Sequence, residues 1–108
     1  MLSPGVIEHR ETQEPGKLKE NEILLRIKKI GICGSDIHVY HGKHPATTYP
    51  VIQGHEYSAV VEKVGKSVVK AIPGMKATGR PQLVCGECGP CKRGQYNACQ
   101  KLKVQGFQ

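Results

Sequence analysis

Hydrophobic positions in this chain form two strand-like stretches, one mixed stretch and a long tail without a period. In segment 22–32 (E-I-L-L-R-I-K-K-I-G-I), Ile23, Leu25 and Ile27 alternate with polar or mixed positions, which is the period of a strand. Ile30 and Ile32 fall on the opposite parity, and a bulge near Lys28-Lys29 accounts for the switch. Segment 57–64 (Y-S-A-V-V-E-K-V) is a second strand, closed by Gly65. In segment 68–77, Pro73-Gly74 predicts a turn followed by a short strand. Gly34-Ser35-Asp36 can start a short helix that runs into Ile37, His38, Val39 and Tyr40. Stretches 12–21 and 41–49 are polar or rich in Gly, Pro, Thr and His, and read as connections. After Pro81 no periodicity survives, so something other than a core has to hold that part of the chain. Strands separated by Gly/Pro turns, with little helix, predict a mainly β fold built around a small barrel.

Composition sharpens this picture in two ways. A chain of 108 residues is one small domain or part of a larger protein. With 5% aromatic residues, no Trp and one Phe, its core is modest and an added staple would help. The net charge of +7 raises the question of an anionic partner. Lys17/Lys19, Lys28/Lys29 and Lys92/Arg93 are short, dispersed pairs without interleaved aromatics, so a solvated basic surface is expected and no nucleic-acid partner. The opening M-L-S-P-G-V-I-E-H-R has no apolar h-region, and no stretch approaches the roughly 20 apolar residues of a membrane span. A cytoplasmic, reducing location with no membrane partner is the expectation. In such a place clustered cysteines are more often metal ligands than disulfides.

Four of the five cysteines fall in one run, Cys85-x2-Cys88-x2-Cys91-x7-Cys99. Four thiolates at this spacing suit a closed tetrahedral zinc shell, which is a structural site with no open position. Gly86, Gly89 and Gly94 let the backbone turn tightly between the sulfurs. Iron–sulfur ligation fits less well, because ferredoxin-type runs have tighter final spacing and a Pro after the last Cys, where Gln100 stands here. Disulfides or free thiols are the remaining alternative. A second constellation lies upstream: G-I-C-G-S-D-I-H at 31–38 and G-H-E-Y at 54–57. Cys33, His55 and Glu56 offer one thiolate, one imidazole and one carboxylate, a plausible open zinc shell with a vacant position for substrate. Taken singly, Cys33 reads equally as a small core residue and His55 as a loop histidine.

In this order, the three motifs G-I-C-G-S-D-I-H, G-H-E and the four-cysteine run resemble the zinc-dependent medium-chain alcohol/polyol dehydrogenases. The sorbitol, butanediol and threonine dehydrogenase branch is most similar, on Cys33-Gly34-Ser35-Asp36. The resemblance covers the chain from about Val6 onward. It implies a mainly β fold, a partly open GroES-like β-barrel with short helices, and residues 1–108 as that catalytic domain with a zinc lobe at 81–103. It implies that Cys33 and His55 bind a catalytic zinc, with Glu56 as third ligand or its close neighbour. It implies that Ser35 takes the substrate proton, that His38 is the outer end of the proton relay, and that Asp36 orients the ligand histidine. Asp36 and Ser35 remain readable as a helix N-cap.

The resemblance further implies a cofactor, NAD or NADP, an alcohol or polyol substrate, and a possible homo-oligomer. No Gly-x-Gly-x-x-Gly is present in the sequence, so the pyrophosphate-binding fingerprint is missing. The chain accordingly reads as a fragment, the Rossmann domain absent, expected to be inactive alone and to hold its catalytic zinc poorly. Two further departures from the family pattern are Gly74-Met75-Lys76-Ala77, where the family has Gly-Asp-(Arg/Lys)-Val, and the lack of a strand before Ser3-Pro4-Gly5. The function expected is oxidation of a secondary alcohol by hydride transfer to NAD(P). The alternative is a zinc-stabilised binding or interaction module that holds only the structural zinc.

Overall fold

Segment 57–64 carries β-branched residues on both parities of its period, and it forms the central strand of the main sheet. The computed structural model describes residues 1–107. Strand β1 covers Ile23–Ile30 and strand β2 Tyr57–Val64, and the two pair antiparallel. Strand β3, Lys76–Ala77, adds to the free edge of β2, giving the order β1-β2-β3. The β1–β2 register slips between Leu24 and Leu25 and again between Ile27 and Lys29. The second slip is the bulge that the parity change at Lys28-Lys29 predicts.

The residues of the described chain sort into two compact units. One comprises His9–Gly31 and Glu56–Gly79 and contains the three-stranded sheet. Its buried positions are Ala59 and Val61, one face of β2. By contrast Ile23, Ile27 and Ile30 of β1 stay exposed. Alternation therefore located the strand without guaranteeing a buried face. Gly65 ends β2 in a crowded turn: its N–H donates to Glu22 C=O at 2.8 Å, and Ser67 N–H donates to Glu20 C=O at 2.8 Å. Gly74 takes φ +92° in the turn that leads to β3, a conformation that favours glycine. The sequence departure at Gly74 to Ala77 thus leaves both turn and strand in place.

The other unit comprises Met1–Glu8, Ile32–His55 and the chain from Arg80 onward. Helix α1, Gly34–Tyr40, forms where the Gly-Ser-Asp start predicts it. Val39 on α1 is fully buried and packs with Val51 and Phe107, flanked by Met1, Tyr49 and Val104. Tyr49 donates its hydroxyl proton to the Val39 carbonyl, and Gly5 N–H donates to Tyr40 C=O at 2.8 Å, so the last two carbonyls of α1 are both satisfied.

The tail that lacks a hydrophobic period contains local structure the pattern did not signal. Strands β4, Gln82–Leu83, and β5, Lys103–Val104, pair antiparallel. Between them lie helix α2, Gly89–Lys92, with Pro90 in its first turn, and a 3₁₀ turn at Tyr96–Ala98. Two-residue strands and one-turn helices are too short to show a period. The expected mainly β, partly open architecture is present: among the described residues a three-stranded and a two-stranded sheet form, neither closed on itself.

Gly65→Ala tests the turn after β2. A Cβ there would lie 2.2 Å from Lys19 O and 2.3 Å from Glu20 O, both backbone atoms that cannot swing away. The substitution should cost about 2 kcal/mol and lower the midpoint of thermal unfolding by roughly 5–10 °C. Gly16→Ala, with nothing within 4 Å, should leave it nearly unchanged.

Candidate metal centres

The four-cysteine lobe is assembled by short-range geometry. Cys88 precedes α2, Cys91 sits within it, Cys99 follows the 3₁₀ turn, and Cys85 comes two residues after β4. All four sulfurs lie within 4.8 Å of one another. Cys85 Sγ is 4.0 Å from Cys91 Sγ and 3.6 Å from Cys99 Sγ. A tetrahedron with zinc–sulfur bonds of about 2.3 Å has sulfur–sulfur edges of about 3.8 Å, whereas a disulfide needs about 2.05 Å. The donor set and its spacing therefore fit a tetrathiolate metal and no disulfide, and all five cysteines are free thiols.

The surroundings favour thiolate at particular sulfurs. The backbone N–H of Gln100, and then that of Cys91, hold the Cys88 thiol down to about 6. Cys99 is lowered chiefly by the Cys85 N–H, which donates to its sulfur at 3.4 Å. Cys91 is buried, and burial with the adjacent Cys88 pushes its thiol up to about 12. Backbone donors and burial thus push the sulfurs of this set in opposite directions. Outside the cluster, Lys101 Nζ donates to Glu87 Oε1 at 2.6 Å, and that bond raises the lysine.

The upstream motif supplies a different arrangement. Cys33 stands just before α1, and His55 is buried at 8% exposure. A ring nitrogen of His55 and the Cys33 sulfur lie within 4.8 Å. Asp36 serves both residues. Its Oδ2 accepts from the Cys33 backbone N–H at 2.8 Å, the reach-back half of a capping box. Its Oδ1 faces His55 Nδ1 at 3.5 Å, and these two buried atoms have no hydrogen-bond partner. The N-cap reading and the histidine-orienting reading of Asp36 accordingly coexist in one carboxylate. A buried imidazole facing a carboxylate on one nitrogen, with a thiol in reach, fits a metal ligand better than a packed core histidine.

Glu56 is joined to His55 by the chain and opens the sheet-containing unit, where it is exposed. There its carbonyl accepts from Gly31 N–H at 2.8 Å, and a Cβ on Gly31 would come within 3.1 Å of its Oε2. Ser35 is half-buried and His38 exposed, three residues apart on α1 and so on one side of the helix. A groove of about 860 Å³ lies beside β1 and β2, lined by Lys19, Arg26, Glu62 and Lys66. Its lining includes no thiol or imidazole. Sequence reasoning missed one neighbour of His55: the ring of Phe107, at 4.9 Å between centroids. The sequence offers no signal for it, because a single Phe in an aperiodic tail has no pattern.

Fold and site together describe a small β domain with a tetrathiolate lobe and a thiol–imidazole pair. Residues 19–107 match the family model described as the alcohol dehydrogenase GroES-like domain. The chain belongs to that family. It is 38% identical over 101 residues to L-galactonate-5-dehydrogenase of Escherichia coli (strain K12), covering 94% of this chain and 29% of that protein. It is 42% identical over 90 residues to D-arabitol-phosphate dehydrogenase of Enterococcus avium, covering 82% of this chain and 26% of that protein. An alcohol dehydrogenase of E. coli CFT073, solved in complex with NADH, superposes with a TM-score of 0.85 at 35% identity, covering 98% of this chain and 30% of that one. The chain thus spans less than a third of the length of these relatives. No described helix is long and apolar enough to cross a membrane.

Alkylation of the metal-free chain tests the thiol assignments. Cys88 should react at neutral pH, its rate falling as pH drops through about 6, while Cys91 stays slow until far more alkaline pH. The linkage has opposite signs at the two sites. The lowered Cys88 stabilises the fold fully above its ordinary value of 9.0 and loses that as pH falls through about 6. The raised Cys91 stabilises it fully below 9.0 and loses that as pH rises towards 12. Mass-resolved labelling across pH reads both, and equal rates at the two cysteines would contradict the assignment.

Proposed function

We propose that this chain is the catalytic-domain portion of a zinc-dependent alcohol or polyol dehydrogenase, which oxidises a secondary alcohol by hydride transfer to NAD or NADP. The observation that carries the reading is Asp36, which holds the backbone before α1 with one oxygen and faces His55 Nδ1 with the other. In this reading Cys33, His55 and Glu56 hold the catalytic zinc, and Cys85, Cys88, Cys91 and Cys99 the structural one. Zinc at the catalytic site would supply Lewis-acid chemistry that makes the alcohol proton acidic near neutral pH, and the nicotinamide would supply the hydride acceptor.

The chain's own residues then handle orientation and protons. Asp36 faces Nδ1 of the His55 ring and helps to orient it as a ligand. Ser35, half-buried at the start of α1, accepts the proton released by the alcohol. His38, one turn further on and exposed, takes it outward, since imidazole titrates near physiological pH. The four thiols hold the otherwise aperiodic tail in place. Five free cysteines suit a reducing, cytoplasmic setting. Because the sequence has no pyrophosphate fingerprint, turnover requires a nucleotide-binding domain that these residues do not supply.

Metal analysis of the zinc-reconstituted chain decides between this reading and a module with a structural metal only. Two zinc per chain are expected at saturation, falling to one in Cys33→Ser, with the second site the weaker. Asp36→Asn should weaken that second zinc by about 10- to 100-fold and leave the first unchanged. A single zinc, indifferent to Cys33→Ser, would sink the catalytic site. With NAD and a polyol the 108-residue chain should show no turnover, and measurable reduction of NAD would refute the need for a further domain.

A further inference from the structure

We propose that Phe107 is a positioning residue for His55, and that through it the four-cysteine lobe sets the geometry of the upstream metal site. Phe107 is 7% exposed, in the core cluster with Val39 and Val51. Its ring centroid lies 4.9 Å from that of His55, tilted by 54°, and 4.4 Å from that of His44, nearly parallel at 24°. His44 is itself fixed, with Nδ1 2.8 Å from Thr47 Oγ1. The backbone makes the same approach one residue earlier. Gly106 has φ +89°, and a Cβ on it would sit 3.2 Å from Gly54 N and 3.3 Å from Gly54 O. Segment 106–107 is therefore laid on Gly54 and His55 by both main chain and ring.

What holds that segment is the closure of the lobe. Val104 pairs with Gln82 across β5 and β4, and Gln105 N–H donates to Pro81 C=O at 2.9 Å. Phe107 N–H donates to Val104 C=O at 3.3 Å, and Leu102 N–H to Cys99 C=O at 3.2 Å. Cys85 and Cys99 lie just inside the two paired strands, so the contact that closes the sulfur cluster also aligns the strands that carry Phe107. An imidazole has two side-chain torsions, and the second is broad. The Asp36 contact at 3.5 Å is too long to fix it alone. Packing against Phe107 supplies the second constraint and holds the ring in the orientation a metal needs.

The inference rests on the proposed role of Cys33 and His55 in holding zinc, and the test separates the two. Zinc titrations against a competing chelator are run on the full chain and on Phe107→Leu and Phe107→Tyr. Leucine keeps apolar volume without the ring, and tyrosine keeps the ring. The first, lobe-bound zinc should be unaffected in both variants, which also shows that the lobe still folds. The second should weaken by about 10- to 100-fold in Phe107→Leu and return to near the wild-type value in Phe107→Tyr. Equal second-zinc affinity in wild type and Phe107→Leu overturns the proposal. If the wild type takes up no second zinc, the metal reading fails. Positioning is then decided by the His55 ring resonances with only the lobe loaded. One sharp set in wild type and Phe107→Tyr, broadened or doubled in Phe107→Leu, supports it, and identical sets in all three overturn it.

Discussion

One carboxylate carries more of this structure than any other side chain. Asp36 closes the start of α1 by accepting from the Cys33 N–H, and its other oxygen faces the buried His55. Without it the first turn of a seven-residue helix would lose a partner for an orphan amide. A buried imidazole would also lose the carboxylate that faces its Nδ1. Helix capping and the geometry of the thiol–imidazole pair are therefore one constraint, and neither can be changed alone.

The two clusters of candidate ligands pose different problems. In the lobe, sulfur pairs 3.6 and 4.0 Å apart are close enough to share a cation, which would tie together a tail of very short elements. There the energetics are those of ligand binding coupled to local folding. Around His55 the matrix is a small apolar core of Val39, Val51 and Phe107, so orientation comes from packing and from Asp36. The closed set of four thiolates leaves no position for a substrate, whereas the open pair does.

How far the sequence could be read depended on the length of each element. The eight-residue strands β1 and β2 were legible from alternation, and so was the slip at Lys28. The start of α1 was legible from Gly34-Ser35-Asp36. Strands β4 and β5, helix α2 and the 3₁₀ turn were not, because two to four residues contain no full period. The exposure of Ile23, Ile27 and Ile30 was equally hidden, since what covers a strand's face is a property of the packing and not of the strand.

By itself the sequence determined the chemistry available: four thiols at fixed short spacing, and a Cys-Gly-Ser-Asp and a Gly-His-Glu motif whose residue types suit zinc. Local spacing suffices there because ligands within one short run have few ways to converge. Only the tertiary structure decided that Cys33 and His55, twenty-two residues apart, come within 4.8 Å, and that Asp36 serves both. It alone laid Phe107 on His55, fifty-two residues away along the chain. Those meetings depend on which surfaces bury each other, and packing is a property of the whole fold that no single stretch of chain encodes.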